Sequence, residues 1–182
     1  MNTMLSFKRV VTKNNSRGLS VICHEAGDHM QFPLQAVPGT LFHEIWRTDA
    51  SPAQINNKLL PSDLPLKLTP EKNGTVLRVV DISPDADHQS SSNNLGAAFS
   101  EMGASAAYTS NVTSKHNLMH RTETVDYGIV LEGEVWLILD DEEVHLQRGD
   151  VVIQRGTNHA WSNRTESMAR MVFILIDGQY AV

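Results

Sequence analysis

Apolar and polar positions alternate most regularly in the last third of the chain. From Leu118 onward, DYGIVLEG, EVWLILDD, EVHLQRGD, VVIQRG, HAWSN and RMVFILID carry apolar residues at spacing two, with Gly or Asp-Asp between them. Side chains two apart on a strand share a face, so this pattern predicts short, half-buried strands. No amphipathic helix interrupts them, which points to an all-β antiparallel barrel or sandwich. Upstream, residues 75–82 (TVLRVVDI) and 40–48 (TLFHEIWRT) read as strands, and residues 7–24 as two short strands joined by a polar Asn-Asn-Ser-Arg-Gly turn. The stretch from Asp49 to Gly74 holds four of the seven prolines and predicts a wandering surface connection. Residues 83–98 are poor in apolar side chains and read as a loop, and AAFSEMGASAA as a short helical turn.

One strand breaks the pattern. In MHRTETVDYGIVLEG, residues His120, Thr122, Thr124, Asp126, Gly128 and Val130 share a face, so an imidazole and a carboxylate lie on the side where Val130 packs. Further along, GDVVIQRGTNHAWSN places His159, Trp161 and Asn163 on one face. If the two faces meet, a pocket holds two imidazoles and a carboxylate. That set suits a two-histidine, one-carboxylate metal site or a metal-free acid/base site.

Composition narrows the partners. A chain of 182 residues with net charge −6 and no basic stripe does not invite nucleic acid, and no segment reads as a membrane span or signal peptide. A single cysteine, Cys23, excludes an internal disulfide and any multi-cysteine zinc site. The expectation is a cytoplasmic protein acting on a small molecule.

The two stretches together resemble the paired motifs of the cupins, small jelly-roll β-barrels. His120 matches the first histidine of the first motif and Gly133 its closing glycine. Gly149, His159 and Asn163 match the opening glycine, histidine and asparagine of the second. HNLMHRTETVDYGIVLEGE, QRGTNHAWSNR and FHEIWRTD are similar to a subgroup of small single-domain cupins found in bacterial and fungal small-molecule pathways. The resemblance implies a cupin-type jelly-roll barrel over residues 75–182, with residues 1–74 supplying extra strands and an irregular connection packed on it as one structural domain. It also implies a divalent metal at His120, Asp126 and His159, but two ligand positions depart from the family pattern. Thr122 replaces a histidine, and Asp126 replaces a glutamate. His116, four residues before His120, is the candidate to compensate. Iron, zinc, manganese and nickel all suit these ligand types, and a site with no metal suits them equally.

The functional expectation is a lyase or isomerase catalysing dehydration, decarboxylation or cyclisation. His120 or His159 would move a proton, and Asp126 would orient an imidazole or help hold a metal. Trp161, Thr122, Arg47 and Trp46 are the candidate substrate contacts. A metal-dependent dioxygenase and a non-catalytic ligand-binding cupin are the alternatives. Edge strands are exposed pairing surfaces, which predicts a homodimer built on the N-terminal strands.

Overall fold

The computed structural model describes residues 6–23, 30–61, 63–88, 95–111 and 113–181. The chain forms strands β1 (Val11–Asn14), β2 (Ser20–Cys23), β3 (Met30–Pro33), β4 (Leu41–Thr48) and β5 (Thr75–Ile82), then helix α1 (Gly96–Glu101). After these come β6 (Thr124–Glu132), β7 (Glu134–Leu139), β8 (Glu143–Gln147), β9 (Val151–Arg155), β10 (His159–Ser162) and β11 (Ala169–Asp177). A six-stranded sheet has the order β3-β4-β5-β11-β6-β9, a three-stranded sheet the order β10-β7-β8, and among the described residues β1 pairs only with β2. Every pairing is antiparallel. This is the all-β jelly-roll barrel with additional N-terminal strands. Because β4 pairs with β5, the large sheet runs across residue 74. Residues 49–74 contain no helix or strand among those described, as their prolines foretold, and part of residues 83–98 lies outside the described residues. No helix among the described residues is long and apolar enough to cross a membrane.

Alternation explains how the barrel closes. Along β6 the even positions Thr124, Asp126, Gly128 and Val130 are buried, while Tyr127 and Leu131 face out. Val130 meets Val135, Leu137, Leu146, Ala169 and Met171 in an apolar cluster between the two sheets. A second cluster joins Phe42 and Val80 of the large sheet to Leu66 and Leu68 of the connection and to Ala98 and Phe99 of α1. The irregular segment is therefore held by what it buries and not by a ladder of its own.

Two motif residues are structural. Asn163 is fully buried, and its amide donates to the carbonyls of Ile82 (2.9 Å) and Ser167 (2.8 Å) while its oxygen accepts from Thr165. It ties the end of β5 to the turn between β10 and β11 with every polar group satisfied. Gly133, between β6 and β7, has φ +72°, and a Cβ there would lie 3.0 Å from Ala169 Cα and from the Met168 carbonyl. Gly133→Ala combines a left-handed backbone with that contact, so it should lower unfolding free energy by about 1–3 kcal/mol. A urea melt checks this; an unchanged midpoint would show that the turn relaxes freely.

Candidate functional site

His120 precedes β6 and forms a single reciprocal bridge with His159 of β10. The His120 amide donates to the His159 carbonyl (2.8 Å), and the His159 amide to that of His120 (2.9 Å). Directly opposed residues of an antiparallel pair put their side chains on one face, and here the ring centroids are 4.2 Å apart. Phe99 of α1 lies against His120 at 5.1 Å with the rings tilted by 47°, and Trp161 meets His159 edge-on at 5.8 Å. In β6, Asp126 lies opposite Gln154 of β9.

His120, Thr122, Asp126, His159 and Trp161 all line one cavity of about 130 Å³ inside the barrel. Its remaining walls are mainly apolar, contributed by β4, β5, β11, α1 and the connection. Thus five of the residues singled out by alternation come together. Arg47 and Trp46 do not line this cavity. Arg47 turns to Glu44 (3.0 and 2.9 Å) and the Pro65 carbonyl (3.0 Å), because a lone buried carboxylate requires a cationic partner. Trp46 lies under the Arg9 guanidinium, 5.5 Å from the ring centroid. His116 also stands apart, with Nε2 3.7 Å from Asp85 and Nδ1 accepting from the Leu118 amide (3.2 Å).

Arg78, Glu44 and Gln154 complete the surroundings and were not singled out from the sequence. Arg78 of β5 lines the cavity, is 1% exposed, and pairs through Nε with Glu44 (2.9 Å) while donating to the Lys67 carbonyl (2.6 Å). Burial lowers the Arg78 pKa, and Glu44 opposes that shift. The signal was available: in TVLRVVDI the arginine falls on the same face as two valines, where a solvated charge has no place.

Both imidazoles are anchored through Nδ1. His120 Nδ1 lies 2.9 Å from the Leu118 carbonyl and His159 Nδ1 3.0 Å from the Thr157 carbonyl. A carbonyl only accepts, so His120 Nδ1 carries the proton and its Nε2 keeps the lone pair, whereas His159 Nδ1 lies 3.0 Å from both the Thr157 carbonyl and the Gln154 amide nitrogen. Burial lowers both pKa values, that of His120 to about 4 and that of His159 well below its ordinary value, aided by its neighbour His120. Both rings are thus neutral at neutral pH. Asp126 moves the other way: desolvation raises its pKa to about 6 against the opposing pull of Thr124 and Arg78. Its Oδ1 is buried without a hydrogen-bond partner among the described residues.

The donors do not make the metal sphere that the family pattern implies. The Thr122 hydroxyl is bonded to that of Thr124 at 2.7 Å, and among the described residues no three His, Cys, Asp or Glu side chains gather as ligands. The His116 tautomer points a proton, not a lone pair, at Asp85. Of the family's ligand positions, His120 and His159 stand side by side, with ring centroids 4.2 Å apart.

Comparison with known proteins agrees with this architecture. A family model described as a cupin domain matches residues 110–175. The chain is 34% identical over 179 residues to the phomopsin biosynthesis cluster protein C' of Diaporthe leptostromiformis, covering 94% of this chain and 78% of that protein. It is 31% identical over 181 residues to the cupin-domain-containing oxidoreductase virC of Hypocrea virens, covering 93% and 75%. A similar protein of Neurospora crassa, the cupin-domain-containing oxidoreductase srdD, is 29% identical over 176 residues, covering 93% and 74%. The chain belongs to the cupin family.

The Asp126 environment has a measurable consequence. Its folded pKa lies above the unfolded 3.8, so its favourable state is present below 3.8 and is lost as pH rises through about 6. Asn mimics the protonated acid. Asp126→Asn should therefore match the parent well below pH 3.8 and exceed it by about 1–3 kcal/mol well above pH 6. Denaturant melts across that range test this, and a stability gain independent of pH would refute the account.

Proposed function

We propose that this cupin is a small-molecule enzyme of natural-product biosynthesis, a lyase or isomerase that moves a proton within its barrel cavity. The observation that carries the reading is the pair of adjacent neutral imidazoles, each anchored through Nδ1, that line one mainly apolar cavity. Names of relatives from biosynthesis clusters support the pathway setting. In this reading Nε2 of His120 or His159 takes a proton from the carbon next to a substrate carbonyl. The electron pair shifts toward the carbonyl oxygen. Asp126, held as an acid by its surroundings up to about pH 6, returns a proton to that oxygen or to a departing hydroxyl, which leaves as water. The Arg78 guanidinium favours the negative charge that develops at this end of the cavity.

The cavity also bears on the substrate. Arg47 and Arg78 are both engaged by Glu44, and Asp126 Oδ1 is buried without a hydrogen-bond partner among the described residues. Such a site favours an uncharged, largely apolar molecule with hydroxyl and carbonyl groups over a carboxylate. An oxidoreductase is the second reading, favoured by the printed names of virC and srdD and by two adjacent imidazoles at the family's ligand positions.

The test uses the intermediate that accumulates in a host lacking this gene. His120→Ala and His159→Ala should each lower kcat by about 10²- to 10⁴-fold while circular dichroism stays unchanged. A double variant that turns over at the parent rate would sink the proton-transfer reading. Oxygen consumed in step with product, and lost on chelation, would establish the oxidoreductase instead.

A further inference from the structure

The cavity has a second polar end. Asp85 and His88, in the short turn after β5, line the same cavity as His120 and Asp126. They lie beside the far end of β10, where the Ser162 hydroxyl donates to Asp85 Oδ2 (2.6 Å) and the Asn163 amide to Oδ1 (3.1 Å). Ser162 is three residues past His159, about 10 Å along a strand. The wall between the two ends is aromatic, with Trp161 and Phe173 edge to face at 5.2 Å. The proton transfers proposed for the imidazoles do not use this end.

His88 is buried there without a partner. The residue is 5% exposed, yet among the described residues neither of its ring nitrogens has a hydrogen bond. Nε2 stands 3.9 Å from Asp85 Oδ1, beyond hydrogen-bond reach. A buried imidazole left unpaired costs free energy that a bound group recovers. Asp85 Oδ1 accepts one bond, from Asn163, and a carboxylate oxygen takes two. The span between Nε2 and Oδ1 admits a single oxygen atom, about 2.8 Å from each.

That oxygen has to donate to the carboxylate and accept from the ring, which is free to place its proton on Nε2. A hydroxyl does both. A carbonyl has no proton for Asp85, and a carboxylate would meet a like charge. An ammonium gains little, because Ser162, the Asn163 amide and the His116 Nε2 proton, 3.7 Å from Oδ2, already offset the Asp85 charge. Burying a cation among apolar walls is costly besides.

We propose that Asp85 and His88 form a hydroxyl-recognition site, and that the substrate carries an alcohol or phenol about 10 Å from the carbon that reacts beside the imidazoles. An apolar, ring-bearing stretch joins the two, lying along Trp161 and Phe173. This names the substrate class of the cavity and rests on the reading that a small molecule reacts there.

Two ketones that differ by one oxygen, benzylacetone and its para-hydroxy derivative, test it by titration calorimetry on the intact protein. The parent should bind the hydroxy compound about 10- to 100-fold more tightly. His88→Leu should bind the two alike, and His88→Gln, whose amide still donates, should restore part of the preference. Circular dichroism checks that each variant is folded, and the comparison on the parent needs no variant. Equal binding by the parent would mean that water bridges Asp85 and His88, and would overturn the proposal, as would failure to bind either ketone. A His88→Leu protein that keeps the preference, or an amine analogue held more tightly than the hydroxy compound, would overturn it too. Because binding is read without turnover, loss of the proton-transfer reading in the kinetic test would leave this preference standing, and the reverse holds.

Discussion

Two backbone hydrogen bonds between His120 and His159 organise the site. They join the segment entering β6 to β10, one strand from each sheet, and so fix the distance between the two walls of the barrel at the cavity. The side chains follow from that pairing, since opposed residues cannot avoid each other. Each ring is then anchored through Nδ1, His120 at the Leu118 carbonyl and His159 at the Thr157 carbonyl and Gln154 amide, and burial between Phe99 and Trp161 keeps the pair neutral. Two adjacent imidazolium ions in this space would repel strongly, so neutrality is a condition for the rings to pack at 4.2 Å.

Around this pair, charge is confined to a few compensated groups. Glu44 is shared by Arg47 and Arg78, and Asp81, on the opposite face of β5, is shared by His43 and Arg170. Each carboxylate has a guanidinium because a buried charge without a partner is far more costly than the pair. Asp126 is the exception. With Arg78 already engaged, its carboxyl relieves the cost of burial by holding its proton to a higher pH.

Much of this was legible in the sequence because the period of a strand is short and strict. Alternation alone placed His120, Thr122 and Asp126 on the inner face, and the strand at residues 75–82 matches β5 residue for residue. His120 itself is not inside a regular strand: β6 begins at Thr124, and the earlier residues keep their facing through an isolated bridge. Local pattern could not reveal Glu44 with Arg78, because their meaning comes from pairing across β4 and β5 past an irregularity near Glu44. Arg47 was misplaced for the same reason, since nothing within FHEIWRTD tells which arginine a buried glutamate will claim. Trp136 packs against the buried cluster of Met119, Ile138 and Ala160, with the His145 ring stacked on it and the Arg164 guanidinium 5.3 Å from its centroid.

The connection between β4 and β5 contributes Leu66 and Leu68 to the inner cluster without a hydrogen-bonded ladder to hold its length. The imidazoles and Asp126, by contrast, sit on or beside strands whose register is locked. Insertions and replacements in an irregular surface segment are tolerated far better than changes of register. A lineage built on this chain can therefore reshape the space a ligand occupies while leaving its reactive groups where they are. Divergence among such proteins should be read first in the contour of the wall and only later in the groups that face it.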